Sequence, residues 1–220
     1  MNAVAIIPAR GGSKRIPRKN VKNFNGKPII SWSIEVAQAV GLFDQIIVST
    51  DDLEIKSIAE SCGAEVPFLR PPELSDDHTG TIPVVAHAIE RLEEMKHHFL
   101  YACCIYPAAP FIQPSLLIET FQQLKQSSCD YVIPVSNFDY PIQRALSLAV
   151  DGSIQMKAQE FFETRSQDLE PAFHDVGQFF WGKTETWLKK TPFFSGSARA
   201  FQISRSFVQD IDTHEDWALA

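Results

Sequence analysis

The chain has 220 residues, 45% hydrophobic and 21% charged, the balance of one ordinary globular domain, expected over 1–220 with a small insertion. With 27 Asp and Glu against 20 Lys and Arg, its formal net charge of −7 excludes a general affinity for nucleic acid or an acidic membrane, so any anion site must be local. The four cysteines show no C-x-x-C spacing, no charged-then-apolar leader is visible and no uncharged apolar run suits a membrane span; a cytoplasmic protein with reduced core thiols is expected.

In chain order, short β-branched runs alternate with amphipathic segments: AVAIIPA, PIISWSIEVAQAV, QIIVST and DDLEIKSIAESCG. Pro28 suits the first turn of the first helix. Asp51 with Glu54 reads as the capping pair of the second helix, and Gly63 as its stop. AEVPFL reads as a further strand. A helix follows over 81–96, with Val84, Val85, Ala88, Ile89 and Leu92 on one face. FLYACCIY then reads as a strand buried on both faces, which sends Cys103 and Cys104 to opposite sides. PSLLIETFQQLKQ continues as a helix and DYVIPVS as a strand. This alternation predicts an α/β fold: a Rossmann-like open, mostly parallel sheet with right-handed crossovers and ligands at the strands' carboxyl ends.

Near residue 137 the rhythm breaks. YPIQRALSLAVDGSIQMKA alternates with period 2 around Asp151-Gly152, so an antiparallel excursion is expected, occupying 137–176. The aromatic stretch EFFETRSQDLEPAFHDVGQFFWG has little periodicity and reads as an interface or cleft segment. Core packing is the plainer role for most of Phe161, Phe162, Phe173, Phe179 and Phe180. A helix near 183–190, a strand near 199–208 and a terminal helix follow.

The chemistry begins with IIPARGGSKRIPRKN. Seven of the 20 Lys and Arg fall between residues 10 and 27, while the first carboxylate is Glu35. The run follows strand one, at the crevice end of the sheet. Gly11, Gly12 and Ser13 let backbone N–H groups close on phosphate oxygens, and Arg10, Lys14 and Lys19 supply charge-assisted donors. A bound triphosphate is the economical reading and a solvated basic loop the bland one; the run is neither a Walker loop nor G-x-G-x-x-G. In QDIDTHEDW, Asp210 and Asp212 stand two apart, project to one side of an extended backbone and can share a hard cation such as Mg²⁺. Thr213 and Asp216 fit a capping box for the last helix. FLRPPELSDDHTGTI brings Arg70 to the same rim. Arg165 and Gln167 offer recognition of a carboxylate or polyol. His174 with Asp175 looks like half a catalytic triad, but no G-x-S-x-G elbow accompanies it.

Together IIPARGGSKRIPRKN, STDD, FLRPPELSDD, TRSQD and QDIDTHEDW resemble the acylneuraminate cytidylyltransferase family, the CMP-sialic acid synthetases, in order and over nearly the whole chain. The resemblance implies transfer of CMP from CTP to a nine-carbon ulosonic acid, with pyrophosphate released and Mg²⁺ as cofactor. It also implies a homodimer built by the protruding 137–176 element, which lends residues to the partner's sugar site. Ala9, Arg10, Gly11, Ser13, Lys19 and Asn20 match positions that hold the nucleotide and its phosphates, joining Gly12 and Lys14 from the reading above. Arg70 and Thr81 match positions near the cytosine, Asp210 and Asp212 the metal-binding carboxylates, and Gln143, Arg144, Arg165 and Gln167 sugar-binding positions. Arg10, Lys19, Asp210 and Asp212 are the expected catalytic set.

One departure bears on the second substrate. Where the family usually carries Gln-Pro-Thr-Ser-Pro, this chain reads YPAAP, so Tyr106 replaces an amide that faces the sugar and N-acetylneuraminate is disfavoured. GGSKRIPRKN, LSDDHTGT, PIQRAL, TRSQDLEPAFHDVGQFFWG and QDIDT most resemble the members that act on pseudaminic acid, which is the expected acceptor. Legionaminic or N-acetylneuraminic acid is the alternative acceptor, and a non-catalytic nucleotide-sensing module the alternative of a different class.

Overall fold

The computed structural model describes residues 2–220. Its first strand, β1 (Ala3–Pro8), is buried almost throughout. Period 2 divides its side chains: Ala3, Ala5 and Ile7 enter one core layer, Val4 and Ile6 the other. The short hairpin β2 (Asn23–Phe24) and β3 (Lys27–Pro28) leads into α1 (Ile29–Ala39). Pro28 ends the hairpin and occupies the N-cap of α1 rather than its first turn. β4 (Gln45–Ser49) and α2 (Leu53–Ser61) follow. The cap of α2 is Asp52, not Asp51: its carboxylate accepts from the N–H groups of Glu54 and Ile55, 2.9 Å each. Asp51 is thereby free for another partner. Gly63, at φ 85°, stops the helix as expected.

AEVPFL does not form a strand. It touches β4 through two isolated bridges, Ile47 to Glu65 and Thr50 to Leu69, and Pro67 between them has no N–H to extend a ladder. The helix α3 (Thr81–Glu94), the strand β5 (Tyr101–Ile105), the helix α4 (Pro114–Gln126) and the strand β6 (Tyr131–Asn137) match their sequence patterns. Cys103 and Cys104 are buried in opposite layers, and all four cysteines are free. The excursion contains the antiparallel pair β7 (Leu146–Leu148) and β8 (Ile154–Met156), joined through Asp151-Gly152.

The aromatic stretch holds the largest surprise. Its end forms β9 (Phe173–Asp175) and β10 (Phe179–Lys183), and β10 lies antiparallel in the middle of the sheet. Phe179 and Trp181 pack into one layer and Phe180 into the other. The chain continues through α5 (Thr184–Leu188), β11 (Ala198–Gln202) and α6 (His214–Leu219). β11 is shorter than the expected 199–208, because residues 205–207 close into a 3-10 turn.

The sheet runs β11-β6-β10-β5-β1-β4, with β9 also on β6. β1 is parallel to both β4 and β5, and β11 is parallel to β6; β9 and β10 are the antiparallel members. The carboxyl ends of β1, β4 and β5 therefore open on one rim, where this kind of sheet takes its ligand. Among the described residues, no helix is long and apolar enough to cross a membrane.

Candidate active site

The basic run leaves β1 while still tied to the sheet. Ala9 is fully buried and its N–H donates to the Ser49 carbonyl at 2.9 Å. The Gly11 N–H donates to Asp51 at 3.0 Å, and a Cβ on Gly11 would lie 2.6 Å from Asp52 Oδ2, so the loop crosses the tip of α2 where only glycine fits. Three of the seven cations serve the scaffold. Arg18 pairs with Asp52 and Glu54, Lys22 lies over the Trp217 ring, and Lys27 pairs with Glu35. Those carboxylates hold the Arg18 guanidinium pKa well above its ordinary value.

The other four, Arg10, Lys14, Arg15 and Lys19, line a cleft of about 420 Å³ together with Ser13, Asn20, Arg70, Thr81, Tyr106 and Asp212. Two carboxylates partner these cations. Asp77 binds Arg10 at 2.6 Å and also Lys14, while Asp212 binds Arg15 at 2.9 Å and Lys19 at 3.1 Å. The pairing holds Asp77 below the usual carboxylate range. Asp77 was not singled out in the sequence, and Asp51 was read there only as a helix cap; the available signal was the rim position of STDD and LSDD after their apolar runs.

Two buried groups in this cleft lack hydrogen-bond partners. Arg70 is 5% exposed; its Nε donates to Ser75 Oγ at 3.2 Å, whereas Nη2 has no hydrogen-bond partner and stands 3.8 Å from Asp51. Burial pulls its pKa down, Asp51 opposes that, and Arg10 adds to it. Asn20 donates from Nδ2 to the Arg10 carbonyl at 3.0 Å and leaves its buried Oδ1 unpartnered. A buried donor and a buried acceptor without partners favour a polar ligand that completes them.

The acidic pair reaches the loop through a small separate core. Ile16, Ile29 and Ile211 are fully buried together, with Phe24, Trp32, Phe111 and Trp217 packed around them. Because Ile211 points into that core, Asp210 and Asp212 flank it, and Lys19 Nζ donates to the Ile211 carbonyl at 2.7 Å. The expected capping box of Thr213 and Asp216 is present and anchors the turn that follows.

A second cleft of about 300 Å³ adjoins the first and is lined by Lys19, Tyr106, Pro107, Asp175, Asp210 and Asp212, among others. Gly177, at φ 61°, leaves room there: a Cβ would stand 3.4 Å from the Asp210 carboxylate. Burial, reinforced by the neighbouring Asp212 charge, raises the Asp210 pKa. Tyr106 stands between the clefts. Its hydroxyl shares a 2.9 Å hydrogen bond with Thr81 Oγ1, its ring meets the edge of Phe180, and burial pushes the phenol pKa well up, so it stays neutral.

Gln143, Arg144, Arg165 and Gln167 line neither cleft. Gln143 donates to the Glu170 carbonyl, Arg144 to that of Thr164, and Arg165 pairs with Asp168 at 2.7 Å, all within the excursion; Gln167 is exposed. Gly12 borders open space, with nothing within 4 Å of an added Cβ.

No three carboxylate, imidazole or thiolate side chains gather as a metal cage among the described residues. A hard cation that keeps waters and takes phosphate oxygens needs only one or two carboxylates. Asp210 and Asp212 fit that demand, since a cation beside them would offset the like charge that the two carboxylates place on one cleft wall.

A polyanion cleft at the ends of parallel strands, sharing a wall that includes Lys19 and Asp212 with a second pocket, is the arrangement of an α/β nucleotide-binding enzyme. The fold is also that of a structure of CMP:2-keto-3-deoxy-manno-octonic acid synthetase complexed with CTP, at a TM-score of 0.73 and 17% identity over 100% of this chain and 98% of the other. The family model described as cytidylyltransferase matches residues 4–213, and the chain belongs to that family of CTP-dependent nucleotidyltransferases. The chain is 40% identical over 220 residues to the pseudaminic acid cytidylyltransferase of Campylobacter jejuni subsp. jejuni serotype O:2, covering 100% of this chain and 95% of the relative. It is 30% identical over 230 residues to the CMP-N,N'-diacetyllegionaminic acid synthase of Legionella pneumophila, covering 100% and 94%.

Proposed function

We propose that this cytidylyltransferase takes a nine-carbon ulosonic acid, pseudaminic acid, as its acceptor and releases CMP-pseudaminic acid and pyrophosphate. The observation that carries the reading is a shared wall: Lys19, Tyr106, Pro107 and Asp212 line both clefts. CTP in the larger cleft would present its α-phosphate at that wall, with the acceptor in the smaller one. The anomeric hydroxyl attacks the α-phosphorus and releases its proton to solvent, the bond to the bridging oxygen breaks in line, and pyrophosphate leaves. Such a transfer depends mostly on positioning and charge neutralisation. Arg10, Lys14 and Lys19 exchange their carboxylate partners for the triphosphate. Arg70 and Asn20 offer their unpartnered atoms to the nucleotide, with Thr81 beside them. Asp210 and Asp212 would hold Mg²⁺, whose charge would stabilise the phosphate oxygens and the attacking hydroxyl.

The excursion over 137–176 would serve a second copy of the chain. Tyr140, Leu148, Val150, Ile154 and Phe162 are exposed on it, an apolar surface unusual for a lone monomer. Gln143, Arg144, Arg165 and Gln167 share that element and would approach the acceptor of the partner. The test is pyrophosphate release from CTP with pseudaminic, legionaminic, N-acetylneuraminic and Kdo acids, expected to be fastest with pseudaminic acid. Equal rates with all four would defeat the acceptor assignment. Asp212→Ala is expected to lose about a hundredfold or more in turnover; near-normal turnover at saturating Mg²⁺ would remove Asp212 from the mechanism.

A further inference from the structure

β9 and β10 pair with β6 as two halves of one antiparallel strand. β10 opposes Tyr131 and Val132, β9 opposes Val135 to Asn137, and the chain between the two ladders, residues 176–180, spans only Ile133 and Pro134 on β6. There the chain turns through Gly177, whose N–H donates to Asp175 Oδ1 at 3.2 Å, and the Gln178 carbonyl accepts from the Tyr106 N–H at 2.8 Å. The turn fixes the end of β9 against the wall of the smaller cleft, and Asp175 lines that cleft beside Tyr106 and Asp210. Asp77 and Asp212 are each held by two cations; Asp175 has no Lys or Arg within ion-pair distance among the described residues. An ionised carboxylate is an acceptor only, so what faces it must donate a hydrogen bond. The carboxylate of an acidic sugar is excluded from that position by like charge.

We propose that Asp175 is a specificity-determining residue for the acceptor, its carboxylate receiving a hydrogen bond from an amide N–H or a hydroxyl of the sugar. This rests on an acidic sugar occupying the smaller cleft. A group there that only accepts hydrogen bonds is rejected, because the carboxylate would be left facing it unpaired. The residue acts on acceptor choice and not on the triphosphate, whose cations lie along the larger cleft.

The test compares the full chain with Asp175→Asn and Asp175→Ala, with steady-state kinetics at saturating CTP and Mg²⁺. Asp175 is exposed and has no cation to lose; Asp175→Asn keeps an oxygen for the Gly177 N–H and is expected to hold the wild-type melting temperature, while Asp175→Ala gives up that one exposed hydrogen bond and is expected to melt only slightly lower. The acceptor KM is expected to rise about tenfold or more in both. The CTP KM and the Mg²⁺ half-saturation point are expected to stay within about twofold of wild type. The comparison uses whichever ulosonic acid the wild type turns over. A different preferred acid would therefore defeat the acceptor reading while leaving Asp175 still decided. A loss confined to acylamino acids assigns the donor as an amide N–H; an equal loss with Kdo assigns it as a hydroxyl. An unchanged acceptor KM overturns the inference, as does a shift seen instead in the Mg²⁺ or CTP dependence, or no turnover of any acid by the wild type.

Discussion

Replacing Gly11 by alanine tests how the phosphate loop is seated. The new Cβ would stand 2.6 Å from Asp52 Oδ2, 3.1 Å from its Cγ and 3.0 Å from its Cβ. Rotating the carboxylate clears the first contact and leaves the last, so Asp52 must shift as a whole. That shift withdraws its oxygens from the N–H groups of Glu54 and Ile55 and from Arg18. Losing a helix cap costs about 0.5–2 kcal/mol and a partly exposed ion pair about 0–1 kcal/mol. Gly12→Ala is the control, because its Cβ meets nothing within 4 Å. Both changes reduce the freedom of the unfolded chain equally, so the difference between the variants isolates the collision. At about 1–2 kcal/mol, that difference lowers the melting temperature of Gly11→Ala by about 2–8 °C relative to Gly12→Ala. Scanning calorimetry reads it directly. Equal melting temperatures for the two variants would refute the reasoning, whatever their kinetics.

Other changes probe the charges. Asp77→Asn frees Arg10 and Lys14 for the triphosphate and is expected to lower the CTP KM by about two- to fivefold; a raised KM would mean that Asp77 holds Arg10 in its working position. For Asp210, whose folded pKa is raised by burial and by Asp212, protonation favours the fold: its contribution is full below the unfolded pKa and is lost as pH rises through the folded one. Asp210→Asn is therefore expected to leave the melting temperature of the chelator-treated protein at neutral pH unchanged or slightly raised while turnover falls about a hundredfold. A lower melting temperature would contradict the unfavourable setting of its charge beside Asp212.

Much of this was legible where a local signal has one physical meaning. PSLLIETFQQLKQ carries proline at its start and an apolar face at helical spacing, and α4 spans Pro114–Gln126 as those signals require. The two faces of β5 were readable in the adjacent Cys103 and Cys104. Other features needed tertiary context. QFFWG lies buried on both faces of the sheet, so it has no alternation to betray a strand, and nothing local tells a chain to insert antiparallel between two strands that point the other way. Asp51 and Asp52 are chemically identical neighbours, and only the crossing of the basic loop over α2 decides which one caps. The acidic pair was readable as a pair, while its meeting with Lys19 depends on Ile16 and Ile211 finding each other.

That small core of Ile16, Ile29 and Ile211 has a consequence for the order of assembly. Lys19 and its partner Ile211 are 192 positions apart, among the longest separations any contact in this chain must close. On the ribosome the basic loop emerges early and the acidic pair late, with nearly every strand of the sheet made between them. The loop therefore travels through synthesis without Asp212 or Asp77 at first, a cationic segment awaiting its counter-charges. The acidic pair is synthesised just after β11, the last strand of the sheet, so the site's two halves cannot meet before nearly the whole chain has been made.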